Sequence, residues 1–300
     1  MSVRALSFGA IAEAYERFRP EYPEALFDVV ATYAGAPVQS ALEIGAGTGK
    51  ATRLFAGHGI DVTATEPDAA MLAELRKSAP GNVTAVQAAF EDLRPGKTYG
   101  LVYVAAALHW TRPEGRWPRV AALLEPHGVF ASFGGAIRLA DPAVKVAVRL
   151  ARGPFLDSDG IPSPDGTAPE AEMQWPGTEL QHSELFTDVQ QHVVKRRLTV
   201  SAHDFVGYLS TVSAYLELPQ PVRQKAFDAI MRVLPETVEL AADITAHLAR
   251  RRGRWELWRQ DDNGNKYLVS VHPDEAVARS RLAEFESGVV HKQSYWIVAG

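Results

Sequence analysis

Between Ser40 and Gly135, short apolar runs that read as strands alternate with stretches at helical spacing, giving about five strand–helix units. ALEIG and VTATE are early strands, GLVYVAAALHW is the fourth and HGVFASFGG the fifth. Alternation of this kind predicts a parallel sheet of the α/β class, and right-handed crossovers put the carboxyl end of every strand on one edge. Glu43, Glu66, Phe90 and His109 all follow strands and are expected to converge on that edge. Upstream, Ala10 to Tyr33 is apolar at helical spacing, and Arg19-Pro20-Glu21-Tyr22-Pro23 should break it into two helices.

After the fifth strand the alternation stops. A helix from about Asp141 to Leu150 leads into SDGIPSPDGTAPEAEMQWPG, whose Pro, Gly and Asp content predicts a mobile cover over a ligand pocket. Helical stretches from His203 to Tyr215 and Pro221 to Leu234 are expected to join it as a cap, so that about 138–235 forms a cap and lid within a unit spanning 1–252. From 253 to 300 the pattern becomes strand, Asp261-Asp262-Asn263-Gly264 turn, strand, helix and strand. This small ββαβ module should carry its own core of Trp255, Trp258, Tyr267, Leu282, Phe285 and Trp296, and is read as a packing or homodimer module.

Composition narrows the partners. The 300 residues carry a formal charge of −5 and are 46% hydrophobic, which supports a substantial core and gives no overall basic character for holding phosphates. A small-molecule partner is therefore expected, not nucleic acid. The basic runs Lys195 to Arg197 and Arg250 to Arg254 read as solvated strand ends or a junction. With no cysteine, disulfide, thiolate and iron–sulfur chemistry are excluded. No uninterrupted apolar stretch approaches a membrane span and no convincing cleavage site follows the start, so a cytoplasmic protein is expected.

The chemistry concentrates in LEIGAGTG, from Leu42 to Gly49. A strand entering a glycine turn, with an acid at the end of the next strand, is how an α/β sheet holds a nucleoside: the glycines admit close backbone approach and the carboxylate accepts from ribose hydroxyls. A P-loop is excluded, because Ile44 fills its first glycine slot and Ala51 its Ser/Thr slot. A dinucleotide fingerprint is disfavoured by Lys50 in its third glycine slot. The pattern present is an acid followed by Gly45, Gly47 and Gly49 at alternate positions.

That acid-x-Gly-x-Gly-x-Gly form resembles the first motif of the class I S-adenosylmethionine-dependent methyltransferases. Glu66-Pro67-Asp68 with Met71-Leu72, and Ala89-Phe90-Glu91-Asp92, continue the resemblance in order. It implies a Rossmann-like, doubly wound, seven-stranded sheet with a helical cap, and S-adenosylmethionine as cofactor (S-adenosylhomocysteine as product) with no metal. The implied cofactor residues are Glu43, Gly45, Ala46, Gly47, Glu66, Pro67, Met71, Ala89, Phe90, Glu91 and Ala105. Ala88 and Ala89 stand where many members have an acid, leaving the adenine to backbone amides and Glu91. Backbone at Gly47 is expected to lie too close to the methionine moiety to leave room for a side chain.

A narrower likeness, to trans-aconitate methyltransferases and related bacterial small-molecule enzymes, rests on FGAIAEAYERFRPEYP, His109-Trp110, LSTVSAYLEL and HLARRR. It implies Tyr15, Arg19, Tyr22 and Trp110 near the substrate, with Arg19 either pairing a carboxylate or salt-bridged at a helix end. His109 is the candidate catalytic base, or else a pocket wall, a substrate hydrogen-bond partner or a purely structural residue. The expected reaction is methylation of a small organic acceptor, oxygen favoured. The alternatives are a cofactor-binding protein repurposed for other chemistry or partner binding, and, less favoured, an NAD-dependent oxidoreductase.

Overall fold

The computed structural model describes residues 9–94, 96–160, 162–168, 170–272, 275–287 and 293–299. Two helices open it, α1 (Ala12–Phe18) and α2 (Glu24–Ala34), separated at the proline-containing segment as expected. Then come β1 (Ser40–Ile44), α3 (Lys50–Gly57), β2 (Asp61–Glu66), α4 (Ala69–Ser78), β3 (Val83–Gln87), β4 (Tyr99–Ala105), α5 (Arg116–Leu123) and β5 (Leu124–Gly134). The regular alternation lapses after β3, where a single 3-10 turn, Phe90–Asp92, replaces a helix. Asp68 starts α4 sharply, because its carboxylate accepts from the N–H groups of Ala70 and Met71.

The cap follows as β6 (Arg138–Leu139), α6 (Pro142–Arg152) and α7 (Gly177–His182), then β7 (Phe186–Val194), β8 (Arg197–Ser201), α8 (Ala202–Leu209), α9 (Ser213–Leu216), α10 (Gln220–Met231), β9 (Thr237–Ala241) and β10 (Ile244–Arg251). The main sheet has seven strands in the order β3-β2-β1-β4-β5-β10-β7. β10 runs antiparallel to both its neighbours, and the pairs among β1 to β5 are parallel. The Rossmann-like seven-stranded α/β sheet is therefore as expected. Its cap is less purely helical than expected, since α6, α8 and α10 pack over a three-stranded sheet, β6-β9-β8, around Phe205, Tyr215, Phe227 and Leu240. β7, within the span read as cap, belongs to the main sheet.

Alternation along the strands sends side chains to two cores. Tyr103, Ala131, Phe133 and Leu248 face one side, under α2 and α3; Ile44, Val104, Phe130 and Ala249 face the other, under α5 and α7. At the carboxyl end of the chain, β11 (Trp255–Gln260), β12 (Lys266–His272), α11 (Glu275–Glu286) and β13 (Ser294–Ala299) give the expected ββαβ order, with sheet order β12-β11-β13. Among its described residues Leu257 and Ala278 are fully buried; Trp255, Trp258, Leu282, Phe285 and Trp296 are half-buried, and Tyr267, expected in that core, is 45% exposed. The basic runs are strand ends whose cations serve neighbouring elements: Lys195 and Arg197 pair with Asp243, while Arg250 donates to the Tyr33 carbonyl and Arg252 to that of Phe186.

Candidate active site

Above the carboxyl ends of β1, β2 and β4, the glycine turn and the acid of β2 meet directly: the Gly47 N–H donates to Glu66 Oε2 at 2.9 Å and the Asp68 N–H to Oε1 at 2.9 Å. Burial pushes the Glu66 carboxyl above its ordinary range, and those two N–H bonds pull it back. Gly45 and Gly47 have φ of 67° and 57°, a region that favours glycine. At Gly45 a Cβ would also stand 2.7 Å from the Ala107 Cβ, whereas at Gly47 it would meet only Met71 Cε at 3.5 Å. Within the protein itself the close contact is at Gly45, and what restricts Gly47 is its backbone conformation.

Both glycines and Glu66 open into one cavity of about 1180 Å³, larger than the roughly 300–1,000 Å³ of a single-ligand pocket. Pro67, Met71, Phe90 and Glu91 wall one end; Ala105, His109, Trp110, Tyr15 and Arg19 lie along it. A carboxylate acceptor, a glycine turn that admits close backbone approach and apolar walls at Met71 and Phe90 are what a nucleoside requires, so the residues present fit the cofactor. Far from the glycine turn the lining comes from the cap, with Arg138, Lys145 and Arg149 reaching it without an ion-pair partner among the described residues. The loop read as a cover also lines the cavity, through Asp159, Ser163, Thr167 and Trp175.

Several sequence-predicted residues sit elsewhere. Glu43 is fully buried beneath the turn, where Thr52 Oγ1 and Tyr103 OH donate to its Oε2 and its Oε1 has no partner among the described residues. Burial lifts its carboxyl to about 8. It lies within β1, not at its end, so it supports the turn and touches only a small adjoining pocket, shared with Ala46 and Tyr22. The Tyr22 ring packs edge-on against Phe133 at 5.3 Å. Ala89 lines neither space. Arg19 makes no salt bridge among the described residues: its Nε and Nη2 donate to Thr211 Oγ1 and O, with the guanidinium against the rings of Tyr15 and Tyr208.

His109 follows β4 in a 3-10 turn, against Trp110. Burial, reinforced by the Arg116 charge, lowers it to about 4, so the ring is neutral at pH 7. Its Nε2 is buried without a hydrogen-bond partner among the described residues, leaving only the other edge of the ring for the cavity. One network escaped the sequence reading. Lys50, noticed only as a misfit in a glycine slot, is buried and donates to the Glu16 carbonyl and the Glu21 carboxylate, and Arg53 joins the same two acids. That cluster ties the segment carrying Tyr15 and Arg19 to α3, and two cations three residues apart at the start of α3, Lys50 and Arg53, were the available signal.

The methyltransferase-domain family matches residues 41–128, which span the glycine turn, Glu66 and His109. An uncharacterized methyltransferase of Mycobacterium tuberculosis is 32% identical over 238 residues, covering 79% of this chain and 89% of its own. A Saccharomyces cerevisiae protein described as a probable S-adenosylmethionine-dependent methyltransferase is 30% identical over 125 residues, 39% of this chain and 43% of its own. A solved structure from Anaeromyxobacter dehalogenans, described as a type II methyltransferase, shares the fold with a TM-score of 0.53 at 23% identity, covering 78% of this chain and 97% of that one. The chain belongs to the class I S-adenosylmethionine-dependent methyltransferases.

Proposed function

We propose that this enzyme methylates a small organic acceptor bearing an anionic group, oxygen being the favoured methyl acceptor, in the cytoplasm. The carrying observation is the shared cavity: the Gly47–Glu66 crevice continues into a cap-lined half where Arg138, Lys145 and Arg149 stand without counter-ions among the described residues. Lys145 and Arg149 are four apart on α6 and so lie on one helix face. All three are solvent-exposed, so they form a cationic rim on the open side of the cavity, where guanidinium and ammonium groups recognise carboxylate or phosphate oxygens.

The cofactor, when bound, supplies a methyl group made electrophilic by a sulfonium. In this reading Glu66 accepts from the ribose hydroxyls, Gly45 and Gly47 let the backbone approach, Met71, Phe90 and Glu91 border the adenine, and Ala105 lies beside the methionine portion. Tyr15, His109 and Trp110 close the chamber around the acceptor and exclude water. His109, neutral and with one nitrogen shut off, walls the transfer point and offers the acceptor a hydrogen bond from its open edge. Residues 253–300 are read as a separate packing or dimerisation module. Methyl-labelled S-adenosylmethionine incubated with small-molecule extract of the native host should label an anionic product, retained on an anion exchanger. Label confined to neutral or cationic products, or absent, contradicts the reading. Arg149→Ala with Lys145→Ala should raise KM for that acceptor and leave S-adenosylhomocysteine affinity unchanged.

A further inference from the structure

The sheet face beneath the cavity is apolar at Val104, Phe130 and Ala249, except along one row. Ser132 of β5, His247 of β10 and Gln191 of β7 are register partners across three adjacent strands, and Ser132 and His247 line the cavity. At 7% and 4% exposed, both are buried polar residues in a core face, which needs a reason.

Hydrogen bonds fix the histidine's tautomer. The Gln191 amide has one orientation, since its Oε1 accepts from the Gln174 backbone N–H at 2.8 Å and its Nε2 donates to the Glu172 carbonyl at 3.1 Å. His247 Nε2 lies 2.8 Å from that same Oε1, so Nε2 carries the hydrogen and Nδ1 keeps a lone pair. The Cδ2 edge is covered by Gly177, where an added Cβ would stand 2.9 Å away. Nδ1 has no hydrogen-bond partner among the described residues and is not sealed off as His109 Nε2 is. The ring therefore turns a lone pair toward the chamber. Burial alone lowers His247 to about 4, so it stays neutral near pH 7.

We infer that His247 accepts the hydrogen bond, and then the proton, of a hydroxyl on the acceptor, and that Gln191 is the positioning residue that selects its tautomer. The inference rests on the methyl-transfer reading above and narrows it: a lone pair attracts an O–H and repels a carboxylate oxygen, so the acceptor is a hydroxylated small acid, methylated at its hydroxyl. The anionic group would lie toward Arg138, Lys145 and Arg149. In the step, the hydroxyl oxygen's lone pair forms the bond to the methyl carbon, and the carbon–sulfur pair departs with sulfur. The O–H proton passes to Nδ1 and its bonding pair remains on oxygen. A weakly basic imidazole suffices, because oxygen that is gaining a third bond becomes strongly acidic. Gln191 also holds residues 172 and 174 of the cover loop, so the tautomer is coupled to that loop's seating.

The test uses the full chain. Nitrogen-15 NMR of histidine-labelled protein, with the His247 signals assigned by their loss in His247→Gln, should show Nδ1 unprotonated at pH 7, and Gln191→Leu should average the two nitrogens. A protonated Nδ1 in the wild type overturns the proposal. With labelled S-adenosylmethionine and host extract, the transferred label should resist mild alkali as an ether does; alkali-labile label, an ester, overturns it. His247→Gln, which can keep a polar atom on Gln191 but loses the Nδ1 acceptor, should lower kcat about 10²–10⁴-fold. His247→Asn, which keeps a polar atom near Nδ1, should lose less, with S-adenosylhomocysteine affinity unchanged in both. The reverse order of the two variants would mean a structural role and defeat the proposal. Failure of the wild type to bind S-adenosylhomocysteine would instead remove the broader reading, and the tautomer measurement needs no turnover.

Discussion

Replacing Glu43 with glutamine should remove a pH-dependent weakness from the fold. The carboxyl is fully buried, Thr52 and Tyr103 both donate to Oε2, and burial lifts its pKa from an ordinary 4.5 to about 8. Between those two values the folded chain holds a proton that the unfolded chain has released. Stability therefore falls as pH rises through that window and levels off above it. At about 1.4 kcal/mol per pH unit, the shift to about 8 corresponds to a loss of about 5 kcal/mol, comparable to the whole stability of a marginal domain. Glutamine can accept the same two hydrogen bonds and cannot ionise, so any packing cost it brings is the same at every pH. Urea unfolding of both proteins from pH 5 to 8.5 should show the difference moving by several kcal/mol in favour of Glu43→Gln. Parallel stability curves for the two proteins would refute the reasoning.

Two further substitutions probe the site's framework. Gly45→Ala puts a Cβ 2.7 Å from Ala107 at a φ of 67°, and should cost about 2–5 kcal/mol by chemical denaturation while weakening cofactor binding; an unchanged midpoint contradicts the crowding. Lys50→Met removes the buried cation from Glu16 and Glu21 but leaves Arg53 on both, so a loss of about 1–3 kcal/mol is expected, with faster proteolysis near residues 16–21 and no change at α10.

What the sequence showed and what it hid follow from the range of the interactions involved. The parallel strands, the proline break and the glycine turn are local patterns, and each stands where its residues place it. The convergence of Gly47 and Glu66 was legible because a parallel sheet brings successive strand ends to one edge. The partners of Glu43 beneath the turn were not legible, because sequence position does not tell which side of a turn a carboxylate faces; Thr52 and Tyr103, which donate to it, lie 9 and 60 residues away. Arg19 likewise answers to Thr211, 192 residues on. His247 left one faint trace, a polar residue in the otherwise apolar centre of ITAHLARR, whose meaning depends on Gln191 in a strand that pairs with it only after folding.

The central claim is that the glycine turn and the β2 acid hold one adenosine within the shared cavity. Isothermal calorimetry with S-adenosylhomocysteine tests it most directly. The wild type should bind one equivalent, and Glu66→Ala should bind about 10- to 100-fold more weakly, the worth of hydrogen bonds to a charged acceptor. Equal affinity in the two proteins, or no binding by the wild type, would contradict it.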